Sequence, residues 1–202
     1  MKLRLATRGS PLALWQAQAA GRALAAAYAG LETELVEIKS GGDQDQSSAL
    51  TRFGRIGIFT VEVDRAVLEG RAEAAVHSLK DMTTTLHEGV SLAGVLGRGP
   101  VEDALIARGG ERLAELPEGA RVATGSQRRR AMLLALRPDL QVVEIRGNVH
   151  TRLEKLRAGQ CEALLMARAG LARLGLSAAI SEVLDTERFL PAVGQGLVGL
   201  CS

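Results

Sequence analysis

Short apolar runs alternate with longer helical patterns almost from end to end of this chain, and that alternation confines it to an α/β fold. The patterning predicts strands at Leu3–Ala6, Glu34–Ile38, Ala74–His77, Ser91–Gly94, Asp103–Ala107, Arg121–Ala123, Gln141–Ile145 and Ala163–Met166. It predicts helices at Pro11–Ala29, Phe59–Glu69, Gln127–Leu136, Val149–Ala158 and Ala167–Leu174. Breaks at Gly97–Pro100 and Gly109–Gly110 suggest a change of region there, and a long loop would look the same. The 202 residues suffice for one ordinary domain or two small ones.

One internal echo bears on that choice. Leu5-Ala6-Thr7-Arg8-Gly9-Ser10 leads into the first helix, and Val122-Ala123-Thr124-Gly125-Ser126 leads into a later one. Each is a strand ending in Thr, a turn with Gly, and a Ser placed to cap a helix. Pro11 follows the first Ser, where its missing N–H costs nothing. The repetition points to two related lobes.

Composition removes several classes of function. A net charge of +2 gives no reason to expect a polyanionic partner, and five aromatic residues are too few to stack nucleic-acid bases. Cys161 and Cys201 lie far apart in no ligand spacing, and His77, His87 and His150 stand singly, so no metal site is expected. Lys2, Arg4 and Arg8 interrupt the N-terminus before a signal-peptide core could form, and Arg22 and Arg168 break the two most hydrophobic regions. The expectation is a cytoplasmic protein.

Three constellations carry chemistry. In Thr124-Gly125-Ser126-Gln127-Arg128-Arg129-Arg130, cap residues and arginines gather at a helix N-terminus, whose unpaired N–H groups and dipole favour a carboxylate or phosphate. The competing reading is a solvated basic face. Arg146-Gly147-Asn148-Val149-His150-Thr151-Arg152 repeats the strand-to-helix pattern. Ligands of open α/β sheets collect beyond the carboxyl ends of strands, where Arg8, Arg128, Arg129 and Arg146 all fall. Several bidentate arginines suit a ligand with several carboxylates, against the alternative of scattered surface arginines. Finally, Val76-His77-Ser78-Leu79-Lys80-Asp81 ends a strand with a carboxylate able to stabilise a cation or move a proton; a plain surface pair of Lys80 and Asp81 is the other reading.

Five segments together resemble the porphobilinogen deaminases (hydroxymethylbilane synthases). They are Leu5–Gln16, Ala75–Asp81, Arg146–Leu153, Ala169–Gly175 and Leu190–Gly196, in the family's order and with compatible spacing. The resemblance implies two lobes like those of type II periplasmic binding proteins, with an active-site cleft between them. The first lobe would take 1–95 with 190–202, and the second 96–189. It implies head-to-tail polymerisation of porphobilinogen into a linear tetrapyrrole with release of ammonia, on a dipyrromethane primer, by a monomer whose partners are small molecules rather than nucleic acid or membrane. Asp81 matches the family's catalytic aspartate. Arg8, Ser10, Ser78, Lys80, Thr124, Ser126, Arg128, Arg129, Arg146, Arg152 and Arg173 match residues that hold acetate and propionate groups or position the chain, and Gln16 and Gln195 match further cleft positions.

The sequence also departs from the family. Its glycine- and lysine-rich loop is altered: Arg52, counted among the binding residues, replaces a lysine, Arg55 a glycine and Ile56 another lysine. Met82-Thr83 stands where a proline follows the aspartate, and Cys201 where an acidic residue is usual. Neither cysteine matches the one that anchors the primer in the family's third domain. The expectation is therefore a short form without that domain, either a truncated deaminase or a diverged homologue. A non-catalytic two-lobe binder of carboxylated pyrroles or similar anions is the competing function.

Overall fold

The computed structural model describes residues 1–38 and 60–202. They divide into two units, Met1–Gly99 with Gly196–Ser202, and Pro100–Gln195. In chain order the strands are β1 (Lys2–Arg8), β2 (Glu32–Ile38), β3 (Ala74–Ser78), β4 (Leu92–Val95), β5 (Asp103–Ala107), β6 (Arg121–Ala123), β7 (Gln141–Val143), β8 (Ala163–Ala167), β9 (Glu182–Val183) and β10 (Val198–Cys201). The α-helices are α1 (Pro11–Ala27), α2 (Val61–Leu68), α3 (Gln127–Leu136), α4 (Val149–Arg157) and α5 (Arg168–Arg173).

In the first unit the sheet order is β2-β1-β3-β10-β4, with β1 parallel to β2 and β3, and β10 antiparallel to β3 and β4. Strand alternation sends neighbouring side chains to opposite faces, so a sheet covered on both faces needs apolar residues at consecutive positions. Leu5, Val76 and Leu200 join Ala17 and Ala20 of α1 in one core cluster. Ala6, Ala75 and Cys201 join Val63 and Ala66 of α2 in another. The small face of α1 permits close packing: a Cβ on Gly21 would come within 2.5 Å of Thr33 Oγ1 on β2.

The second unit repeats the plan. Its order is β7-β6-β8-β5-β9, with β6 parallel to β7 and β8, and β5 antiparallel to β8 and β9. Leu105, Val122, Leu133, Leu165 and Phe189 fill one cluster, and Ile106, Ala123, Leu153, Leu164 and Leu171 fill the other. The echoing sequences end β1 and β6, which hold the same second place in their sheets. In both sheets the fourth place is an antiparallel strand, β10 in one and β5 in the other. The chain is thus an α/β protein with two related lobes.

The strand and helix expectations differ from the structure mainly at their ends. β1 runs on to Arg8, and β7 stops at Val143, where Thr124 N–H closes the parallel ladder on Val143 O at 2.9 Å. Helix α1 stops at Ala27 rather than Ala29, with Gly30 beyond it in the left-handed region at φ 76°. Phe59 lies outside the described residues, and α2 starts at Val61. Strands β9 and β10 are absent from the sequence reading. No helix among the described residues is long and apolar enough to cross a membrane.

Candidate functional site

In the first unit the carboxyl ends of β1 and β3 open onto one depression, with about 430 Å³ of space continuous with solvent. Its lining includes Arg8, Ser10, Gln16, His77, Ser78 and Asp81. Arg8 is the last residue of β1, and Ser10 caps α1, its Oγ accepting from Ala13 N–H at 3.3 Å. Buried Gln16, on the second turn of α1, donates from Nε2 to Ser78 Oγ at 2.8 Å. Ser78 ends β3, and a single 3₁₀ turn, Leu79–Asp81, follows.

That turn is held from its near end. Leu79 N–H donates to Leu197 O at 3.1 Å, and Met82 N–H to Leu79 O at 3.2 Å. Lys80 is half-buried, and Asp81 is exposed at the rim. The sequence thus places a carboxylate, a hydroxyl fixed by an amide, and a guanidinium around one opening. Arg52, with Arg55 and Ile56, lies outside the described residues.

In the second unit the loop between β6 and α3 is built as the cap residues imply. Thr124 Oγ1 accepts from Ser126 N–H at 3.2 Å, and Ser126 Oγ from Arg129 N–H at 3.4 Å. The arginines behind it have a partner that sequence reading did not supply. Arg129 is 7% exposed; its Nε and Nη2 donate to Asp103 Oδ1 at 3.1 and 2.7 Å, and its Nη1 to Leu165 O at 3.2 Å. Arg128 donates from Nη2 to Asp103 Oδ2 at 2.6 Å and from Nη1 to Leu190 O, and its guanidinium stands 5.9 Å from the Phe189 ring centre. Gln195 donates to Val101 O at 2.6 Å and Asp103 Oδ1 at 3.0 Å. Asp103 is wholly buried at the head of β5. Burial pushes its carboxyl up, but the charge of Arg129 and the hydrogen bonds from Arg129, Arg128 and Gln195 outweigh this and hold it below the ordinary value. The guanidiniums read from sequence as facing a ligand are therefore engaged inside this unit, on a carboxylate 25 and 26 residues away.

The loop from β7 to α4 differs. Gly147 adopts φ 107°, and a Cβ there would fall 2.7 Å from Thr151 Cγ2, so the Arg-Gly-Asn turn requires its glycine. Asn148 caps α4 through Thr151 N–H at 3.0 Å. Arg146, with its side chain 14% exposed, approaches Glu144 Oε1 at 3.5 Å through Nε, while its Nη2 is buried without a partner among the described residues. Arg152 Nε donates to Gly147 O at 2.8 Å. Arg173 ends α5, and burial lowers its guanidinium from its usual value.

Comparison with known proteins agrees with these motifs. The family model described as porphobilinogen deaminase, dipyromethane cofactor binding domain, matches residues 3–202. Porphobilinogen deaminase from Nitratidesulfovibrio vulgaris is 49% identical over 199 residues, covering 98% of this chain and 63% of that protein. The enzyme of the same name from Rubrobacter xylanophilus is 50% identical over 199 residues, covering 98% and 64%. The chain therefore spans less than two thirds of the length of these relatives. Among solved structures, a periplasmic substrate-binding protein of an ABC transporter from Coxiella burnetii superposes with TM-score 0.57 at 13% identity, covering 98% of this chain and 83% of that one. A lipoprotein from Actinomyces odontolyticus gives 0.57 at 16% identity, covering 99% and 82%. At such identities the likeness shows the fold alone. On the match along almost its whole length, the chain belongs to the porphobilinogen deaminase family.

Proposed function

We propose that this chain is a porphobilinogen deaminase-like transferase, joining porphobilinogen units head to tail into a linear tetrapyrrole with release of ammonia. It acts as a cytoplasmic monomer in tetrapyrrole biosynthesis. The observation that carries this reading is the depression of the first unit, where Asp81 shares an opening with Arg8, Gln16 and Ser78. When the C–N bond of the protonated aminomethyl group breaks, its electron pair leaves with nitrogen as ammonia, and the positive charge passes to the pyrrole. The Asp81 carboxylate, carried on a short turn whose backbone is tied down, stabilises that charge. A new C–C bond then forms, and the proton displaced from the attacking pyrrole carbon leaves through a neighbouring acceptor. Arg8 and Lys80 oppose the substrate carboxylates.

The residues present suit a dipyrromethane. A bound dipyrromethane supplies the pyrrole carbon at which chain growth begins. Arg146 Nη2, buried without a partner among the described residues, is a donor awaiting an acceptor of the carboxylate kind. In the second unit Thr124, Ser126, Arg152 and Arg173 offer further polar contacts to its carboxylates, while Arg128, Arg129 and Gln195 are committed to Asp103 and fix the loop that precedes the helix. Cys161 and Cys201 are both buried, and burial pushes both thiols up, Cys201 to about 11. Neither is a ready thiolate, so neither of these two cysteines is suited to attach the group. Purified chain incubated with porphobilinogen, with and without added pyrrole primer, tests the reading. Pyrrole consumption that Asp81→Asn abolishes is the expected result. Binding of pyrrole oligomers without turnover, unchanged in Asp81→Asn, would instead mark a carrier.

A further inference from the structure

Beneath the depression lies a buried polar pair to which the reaction above gives no role. His77 Nε2–H donates to Asp64 Oδ1 at 2.7 Å, with the two side chains 3% and 6% exposed. Their neighbours on this side of the sheet are apolar: Val63, Ala66, Ala75 and Cys201 are all buried in one cluster. A buried pair of this kind contributes little net stability compared with apolar residues of the same size, because desolvation offsets the attraction. What it adds is direction, since one hydrogen bond fixes both the ring and the backbone that bears it.

We propose that the Asp64–His77 pair is a positioning device for Asp81, tying the carboxyl end of β3 to α2 so that the following turn presents its carboxylate in one place. Three consecutive residues are anchored to three separate segments. His77 is held to α2 through Asp64, Ser78 to α1 through Gln16 at 2.8 Å, and Leu79 to the returning chain through Leu197 O at 3.1 Å. Asp64 lies in the first turn of α2, whose preceding residue, Thr60, lines the same depression. The pair thus joins two walls of one opening. Removing it frees β3 to shift at the residue from which the Asp81 turn departs. A displacement on the order of 1 Å there costs about 10²-fold in rate.

The proposal deepens the proposed function, and its test has an arm that does not depend on catalysis. Asp64→Leu fills the space without an acceptor, whereas Asp64→Asn keeps an oxygen in the same place. Hydrogen exchange of the Leu79 and Met82 amides is compared with that of β1. Asp64→Leu is expected to speed exchange at Leu79 and Met82 by about tenfold or more while β1 keeps its wild-type protection, and Asp64→Asn to stay close to wild type. In turnover, Asp64→Leu lowers kcat by about 10²-fold with KM within about twofold, and Asp64→Asn restores most of it. If Asp64→Leu alone does not fold, Asp64→Leu/His77→Phe, which leaves no orphaned imidazole, serves for the same comparison. Unchanged exchange at Leu79 and Met82 overturns the proposal. So does an equal loss of protection across the whole first unit, which marks the pair as merely stabilising. A wild-type chain that never consumes porphobilinogen refutes the proposed function instead, and the exchange arm still decides this one.

Discussion

Replacing Asp103 by asparagine changes almost no volume yet removes the one carboxylate that Arg128 and Arg129 share. Arg129 is 7% exposed and Asp103 wholly buried, so the substitution leaves a desolvated guanidinium without its counter-charge. Breaking a buried pair from one side costs about 3–5 kcal/mol. For a unit of about 100 residues, each kcal/mol lowers Tm by roughly 4–8 °C. Thermal unfolding followed by circular dichroism should therefore move down by at least about 12 °C. The triple change Asp103→Leu/Arg128→Met/Arg129→Met, which removes all three charges together, should recover most of that loss. The pH dependence has a definite sign. Asp103 is held below its ordinary value in the fold, so its contribution is fully present above about pH 4 and is lost as pH falls through the depressed folded value. The urea midpoint of the wild type should fall in that acid range more steeply than that of the triple variant. A Tm change of under about 4 °C for Asp103→Asn, the equivalent of less than 1 kcal/mol, would refute the reasoning.

Three further outcomes are expected. Gly199→Ala would place a Cβ 3.1 Å from both Leu79 Cδ1 and Met82 Sδ and 3.2 Å from Leu92 Cδ1, so urea denaturation should show a loss of about 1–3 kcal/mol from overpacking behind the Asp81 turn. Ser126→Ala removes the α3 cap, and the same assay should read a loss of about 1 kcal/mol. Neither Cys161 nor Cys201 should react with a thiol reagent at pH 8 in the native protein, and both should react in urea.

The parts of this molecule visible in the sequence are those whose determinants are local. Ser10 and Ser126 cap helices through residues three positions on, so the echo of Thr7 and Thr124 could be read directly as two equivalent strand–turn–helix units. Strand β10, Val198–Cys201, was not visible in the local pattern. Its strand character comes from pairing with β3 and β4, more than 100 residues earlier. Nothing in the local pattern singles out Asp64, which the fold sets against His77. Asp103 left one signal, an acid opening a wholly apolar strand. Its partners Arg128, Arg129 and Gln195 lie 25 to 92 residues away, which no local pattern encodes.

Native mass spectrometry of the purified chain during brief exposure to porphobilinogen follows individual additions rather than bulk product. Stepwise growth is predicted, each step adding one porphobilinogen less one ammonia, in the wild type and not in Asp81→Asn. A bound species that never advances by that increment, or identical ladders in the two proteins, would contradict the assignment of Asp81 to the bond-making step.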